Sequence, residues 1–206
     1  MRPTKAQMAA LKRRDPVLGA RIKHLPSFPN FPVGVLRGPY FHVLARSIVY
    51  QQLATRAAAT IYGRVRKLGP GPRFPTPAQM LALSDEELRG AGLSGNKAKA
   101  LRDLASKIVS GELRLKGIAR QEDEEVIRLL STVWGIGEWT AQMFLIFKLG
   151  RLDIMPAGDL GVQNGLRILD GLDGRPSPDT LLLRAEVWRP LRSVAAWYLW
   201  RLTDTR

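Results

Sequence analysis

The sequence predicts an all-α fold, and three observations carry that reading. Apolar residues recur at three- and four-residue spacing, Gly- and Pro-rich stretches separate those runs, and alternating strand patterns are weak throughout. At 206 residues the chain can bury a substantial core without a disulfide or a structural metal.

The elements follow in order. A short helical pair is expected around residues 4–24. The run from Leu25 to Pro32 carries Pro26, Pro29 and Pro32, so it reads as an extended connector over a surface. Helices are then expected over 40–50 and 54–68, followed by a loop at Gly69-Pro70-Gly71-Pro72. Thr76-Pro77 marks one helix start. Ser84 with Glu87 marks another as a capping box, in which each side chain satisfies the other residue's free amide. The segment 94–109 places Leu101, Leu104, Ala105 and Ile108 on one face, with Lys97, Lys99, Arg102 and Lys107 elsewhere; those lysines read as a solvated face. A helix over 122–133 opens with Glu122, Asp123, Glu124 and Glu125, which suit the positive end of its dipole.

Composition narrows function. The chain has no cysteine, which excludes a thiol nucleophile, a zinc knuckle, an iron–sulfur cluster and a disulfide framework. Lys and Arg number 32 against 18 Asp and Glu, a formal charge of +14 that points to a polyanionic partner. Charge does not choose between DNA and RNA, and a merely basic protein has the same excess. Arg, Lys, Pro or Gly interrupts every apolar run, so no membrane span is expected. Met1 to Lys5 leads into mixed polar sequence rather than an apolar leader, and the expected location is cytoplasmic.

The most informative local feature is Trp134-Gly135-Ile136-Gly137, set between the helix over 122–133 and a second helix over 138–148. Positive φ is expected at both glycines, with Ile136 tucked inward. The second helix then points the free amides of its first turn outward as an anion site. A dinucleotide loop would need a glycine where Thr140 stands and a strand before the turn, so that reading fails twice. Taken alone, the tetrapeptide also fits an ordinary connector with a Gly cap.

Some twenty residues on, Met155-Pro156-Ala157-Gly158-Asp159 leads into a helix with Asp159 at its N-cap or first turn. Helix, Gly-Ile-Gly hairpin, helix and a Gly/Pro-rich loop ending in Asp resemble the helix-hairpin-helix Gly/Pro-Asp superfamily of DNA glycosylases. Within it the sequence is similar to DNA-3-methyladenine glycosylase II. Three further stretches carry the resemblance: Ile48 to Ala54 with its Gln51-Gln52 pair, Gly92 to Ala98, and Trp188 to Trp200. Together they span residues 40–202.

The resemblance implies a two-lobed helical fold with the active site in the cleft between lobes, in one compact glycosylase unit over 1–206. Its parts would be N-terminal helices and connector over 1–38, hairpin and catalytic loop over about 122–170, and C-terminal helices over 178–203. The implied activity is removal of alkylated bases, of the 3-methyladenine and 7-methylguanine type, from duplex DNA, and a monomer is the default expectation. Asp159 would be catalytic, and Trp139 and Trp200 would wall the base pocket, leaving Trp134, Trp188 and Trp197 as core. Trp139 also stands where strand-cleaving members carry a Schiff-base lysine, which implies base release without strand cleavage.

Gly135, Ile136 and Gly137 would meet DNA, together with Gln52 and Leu53, the candidates to fill the gap left by an extruded nucleotide. In the family's best-known members the wedge is apolar, and Gln52 departs from that; Leu53 could substitute, and both residues also fit the interior of a helix. No cofactor is required, although a structural Na+ or K+ could sit on the backbone carbonyls of Ser131, Val133 and Ile136. A DNA-binding module without catalysis is the competing reading, and it needs neither Asp159 nor the tryptophans.

Overall fold

The computed structural model describes residues 2–204. In chain order the helices are α1 (Lys5–Arg14), α2 (Pro16–Ile22), α3 (Tyr40–Tyr50), α4 (Thr55–Lys67), α5 (Pro77–Ala82), α6 (Asp85–Gly90), α7 (Gly95–Val109), α8 (Asp123–Ser131), α9 (Glu138–Met143), α10 (Leu160–Asp170), α11 (Pro178–Ala185) and α12 (Arg192–Asp204). Among the described residues there is no strand, and no helix is long and apolar enough to cross a membrane. The chain forms two compact units: residues 37–144 make one, and residues 1–36 with 145–206 make the other.

Local signals account for most boundaries. Ser84 accepts from the Glu87 amide while the Glu87 carboxylate receives the Ser84 amide, and Thr76 with Gln79 forms a second box of the same kind. Asp15 caps α2 and Asp159 caps α10, each accepting the amide three residues on. Three acids in the first turn of α8 face its dipole.

The α3–α9 unit packs around Leu44, Ile48, Leu101, Leu104 and Leu130, each fully buried. Here the structure corrects the expected 138–148 helix: α9 stops at Met143, and Phe144–Leu149 is π-helical. The i→i+5 pattern shifts the side-chain phase along that stretch, which a 3.6-residue period in the sequence does not reveal.

The other unit is built on α10 against α12, with α1, α2 and α11 around them. Its core holds Leu18, Val162, Trp188, Val194 and Leu199. The proline-rich connector is anchored rather than merely draped, because Phe28 and Phe31 are buried and Phe28 meets Trp197 edge-on. Trp188 and Trp197 are core residues as expected.

Trp188 donates its indole N–H to Asp15, which is 3% exposed and also accepts from Arg184 and from the Leu18 amide. Burial alone would raise the Asp15 carboxyl, but these donors outweigh it and the group titrates below its ordinary 3.8. A depressed folded-state pKa contributes stability that is present above the unfolded value and lost as pH falls through the folded one. Asp15→Asn is therefore expected to cost about 2 kcal/mol at neutral pH, since it removes the charge that accepts from Arg184, the Trp188 indole and the Leu18 amide, while Arg184 keeps Asp170. Denaturant unfolding of both proteins should show the gap closing below about pH 4; a gap constant with pH would refute the role.

Candidate active site

Two groups of residues carry chemistry, one in each unit. In the α3–α9 unit, α3 runs into a turn before α4 opens at Thr55. Gln52 in that turn has φ 55°, the one positive value outside glycine among the described residues. Such a conformation costs an L-residue about 1 kcal/mol and needs support from its surroundings. The support is visible. Gln51 Nε2 donates to the Gly135 carbonyl (2.9 Å) and to Thr140 Oγ1 (3.3 Å), tying the turn to the hairpin. From the other side Lys97 Nζ donates to the carbonyls of Val49 and Gln51, both at 2.7 Å. Clamped in this way, the turn leaves Gln52 and Leu53 exposed. They are turn residues, which removes the alternative that they lie inside a helix.

Lys97 is also a correction, because it does not belong to a solvated face. It is half-buried, and burial lowers its pKa.

The hairpin itself follows expectation in part. Ile136 is 3% exposed and Gly135 takes φ 78°, where an added Cβ would lie 3.1 Å from that of Ala100. Gly137 does not share this geometry: its φ is −94° with ψ 178°, an extended residue at the N-cap of α9. A single left-handed residue is enough because the Ile136 amide already closes onto the Val133 carbonyl at 3.0 Å. Having no side chain, Gly137 offers no cap to the first-turn amides of α9. Trp134 is a third correction. It stands 51% exposed with Lys99 Nζ 3.7 Å over its ring, and its amide is held by Asp103.

Trp139 is exposed and borders a cavity of about 550 Å³ with Arg46, Tyr50, Gln52, Thr140 and Met143. Arg46 lies 3.8 Å over the Tyr50 ring in the same wall.

In the α10–α12 unit, Asp159 Oδ1 accepts two N–H groups, the Val162 amide at 2.9 Å and the Trp200 indole at 2.8 Å. Gln163, buried, donates to the Ala157 carbonyl at 2.7 Å and braces the loop that presents the carboxylate. The Trp200 ring packs on Phe147, 5.6 Å between centroids. Gly161 allows that ring its approach, since a Cβ there would lie 2.9 Å from Trp200 Cδ1. Trp200 is thus a donor to Asp159 as well as an aromatic surface.

Gln51, Lys97, Gly161 and Gln163 escaped the reading of the sequence as site residues. Gln51 stood within the quoted Gln-Gln pair, and Gln163 is one helical turn after Asp159; both spacings were legible signals.

Residues 45–190 match the HhH-GPD superfamily of base excision DNA repair proteins. The chain belongs to this superfamily. DNA-3-methyladenine glycosylase 1 of Schizosaccharomyces pombe is 38% identical over 162 residues, covering 78% of this chain and 71% of that protein. DNA-3-methyladenine glycosylase 2 of Escherichia coli is 28% identical over 164 residues, 75% of this chain and 55% of that one. A solved structure of the S. pombe 3-methyladenine DNA glycosylase in complex with abasic DNA superposes with a TM-score of 0.86 at 32% identity, covering 97% of each chain. As a member of the superfamily, the chain is a base excision DNA glycosylase with the all-helical fold that the sequence predicted.

Proposed function

We propose that the chain hydrolyses the N-glycosidic bond of alkylated bases of the 3-methyladenine and 7-methylguanine type in duplex DNA, leaving an abasic site in an intact strand. The observation that carries this reading is the Asp159 carboxylate at the N-cap of α10, one oxygen held by two N–H donors. A carboxylate so oriented opposes the positive charge that develops on the sugar as the bond to the base breaks. It also orients a water and takes its proton as the water oxygen bonds to the anomeric carbon. The bonding electron pair leaves with the base. For a base already carrying formal positive charge this yields a neutral product, so little acid assistance is required.

Trp139 in one unit and Trp200 in the other each offer an aromatic face suited to stacking and cation–π attraction with such a base. No amine stands at position 139, which supports hydrolysis rather than Schiff-base chemistry. Gly135 and Gly137 would present backbone amides to a DNA phosphate, while the Ile136 amide closes the turn that aims them, with Gln52 and Leu53 entering the duplex. The carbonyls of Ser131, Val133 and Ile136 are hard oxygen donors suited to Na+ or K+; that of Val133 already accepts one amide and keeps a second lone pair. A cation bound there would add positive charge beside the phosphate.

The test is incubation of the protein with duplex DNA treated with a methylating agent, followed by assays of free base and of strand integrity. Free base with strands that break only after alkali is the expected result. Nicking without alkali would contradict the hydrolytic route, and no free base would contradict the substrate class.

A further inference from the structure

Trp134 has no part in the reaction described above, yet its surroundings are those of a ligand site. It borders a cavity of about 340 Å³ together with Gln52, Asn96, Lys97 and Gly135, and no carboxylate lines that cavity. Half of the indole is exposed, and the exposed Lys99 lies over its ring. Lys97 has three N–H donors. Two reach neutral carbonyls, and among the described residues no carboxylate balances its charge. The cavity therefore joins an aromatic face to uncompensated positive charge, the combination that takes an unstacked base with its phosphate.

Position strengthens the reading. Gln51, Gln52 and Gly135 border this cavity and also the cavity of Trp139. The strained, exposed Gln52 turn is thus a wall shared by the two. A turn that enters the duplex and sends one nucleotide to Trp139 leaves another without its stacking or pairing neighbour on the far side of that wall.

Resting on the glycosylase reading, we propose that the Trp134 cavity is a second nucleotide site. It takes an unpaired nucleotide beside the lesion, with the base stacked on Trp134 and the phosphate held by Lys97; Lys99, over the same ring but outside the cavity's lining, adds positive charge nearby. The nucleotide comes either from opposite the lesion or from next to it on the same strand.

The experiment uses the full chain and duplexes containing a stable abasic analogue, with 2-aminopurine either opposite the analogue or adjacent to it. Wild type should quench the fluorescence at one of these positions, and that position names the source. Trp134→Leu should abolish the quenching and weaken binding roughly tenfold, while Trp134→Phe should retain both. Lys99→Ala should weaken binding and lower the slope of log Kd against log salt by about one. Unchanged quenching at both positions in Trp134→Leu, with affinity within about twofold of wild type, would overturn the proposal alone, provided wild type still releases methylated bases. Failure of wild type to bind the abasic duplex or to release base would remove the glycosylase reading and this site with it.

Discussion

Asp159→Asn is expected to lower base release from methylated duplex DNA by about a thousandfold or more, with binding to an abasic-analogue duplex nearly unchanged. Asn is close in shape to Asp, and its carbonyl oxygen can still accept from the Val162 amide and the Trp200 indole. Cap and ring are kept, while the negative charge that opposes an oxocarbenium-like sugar is lost, along with the group that takes a proton from water. The cost therefore falls on the chemical step and not on folding or affinity. Single-turnover release and Kd have to be compared at one salt concentration, because a chain of formal charge +14 binds DNA with a steep salt dependence. Release within tenfold of wild type would show that Asp159 serves only as a helix cap and would return weight to the DNA-binding module.

The features that were legible in the sequence are those fixed by neighbours in the chain. Ser84 and Glu87 announce a capping box from their spacing alone, and Asp159 announces a helix start because its partner amide is three residues away. The burial of Ile136 follows from an apolar residue between two glycines. What was not legible depends on contacts made across the fold. Lys97 looks like any exposed helix lysine until α3 and the turn after it place two carbonyls against it. Trp134 reads as core on residue type, but Lys99 and Asp103 of α7 hold it at the surface instead. Gly137 stands in a pattern that suggests two left-handed residues, whereas the Ile136–Val133 hydrogen bond closes the turn with Gly135 alone.

The glycines of α10 extend this argument, because they set how closely the carboxylate's helix meets the helix bearing its tryptophan. At Gly165 an added Cβ would lie 2.3 Å from the Leu199 carbonyl oxygen and 2.6 Å from its carbon. Those are backbone atoms in the middle of α12 and cannot rotate away. Gly165→Ala must therefore push α10 and α12 apart, at an expected cost of about 3 kcal/mol or more, far above the modest helix-propensity gain of Ala over Gly. At Gly161 the obstacles are side-chain atoms, Trp200 Cδ1 at 2.9 Å and Asp159 Oδ1 at 3.1 Å. A methyl group there displaces the indole and threatens its bond to Asp159, yet leaves the helix contact at Gly165 intact. Gly161→Ala should accordingly cost about 1 kcal/mol in unfolding free energy but ten- to a hundredfold in base release, roughly what losing a hydrogen bond to a charged group implies. Denaturant unfolding and single-turnover release, measured on both variants, separate the two effects. If Gly161→Ala kept wild-type release, the Trp200–Asp159 bond would be dispensable for the reaction, and Trp200 would keep only its role as an aromatic surface.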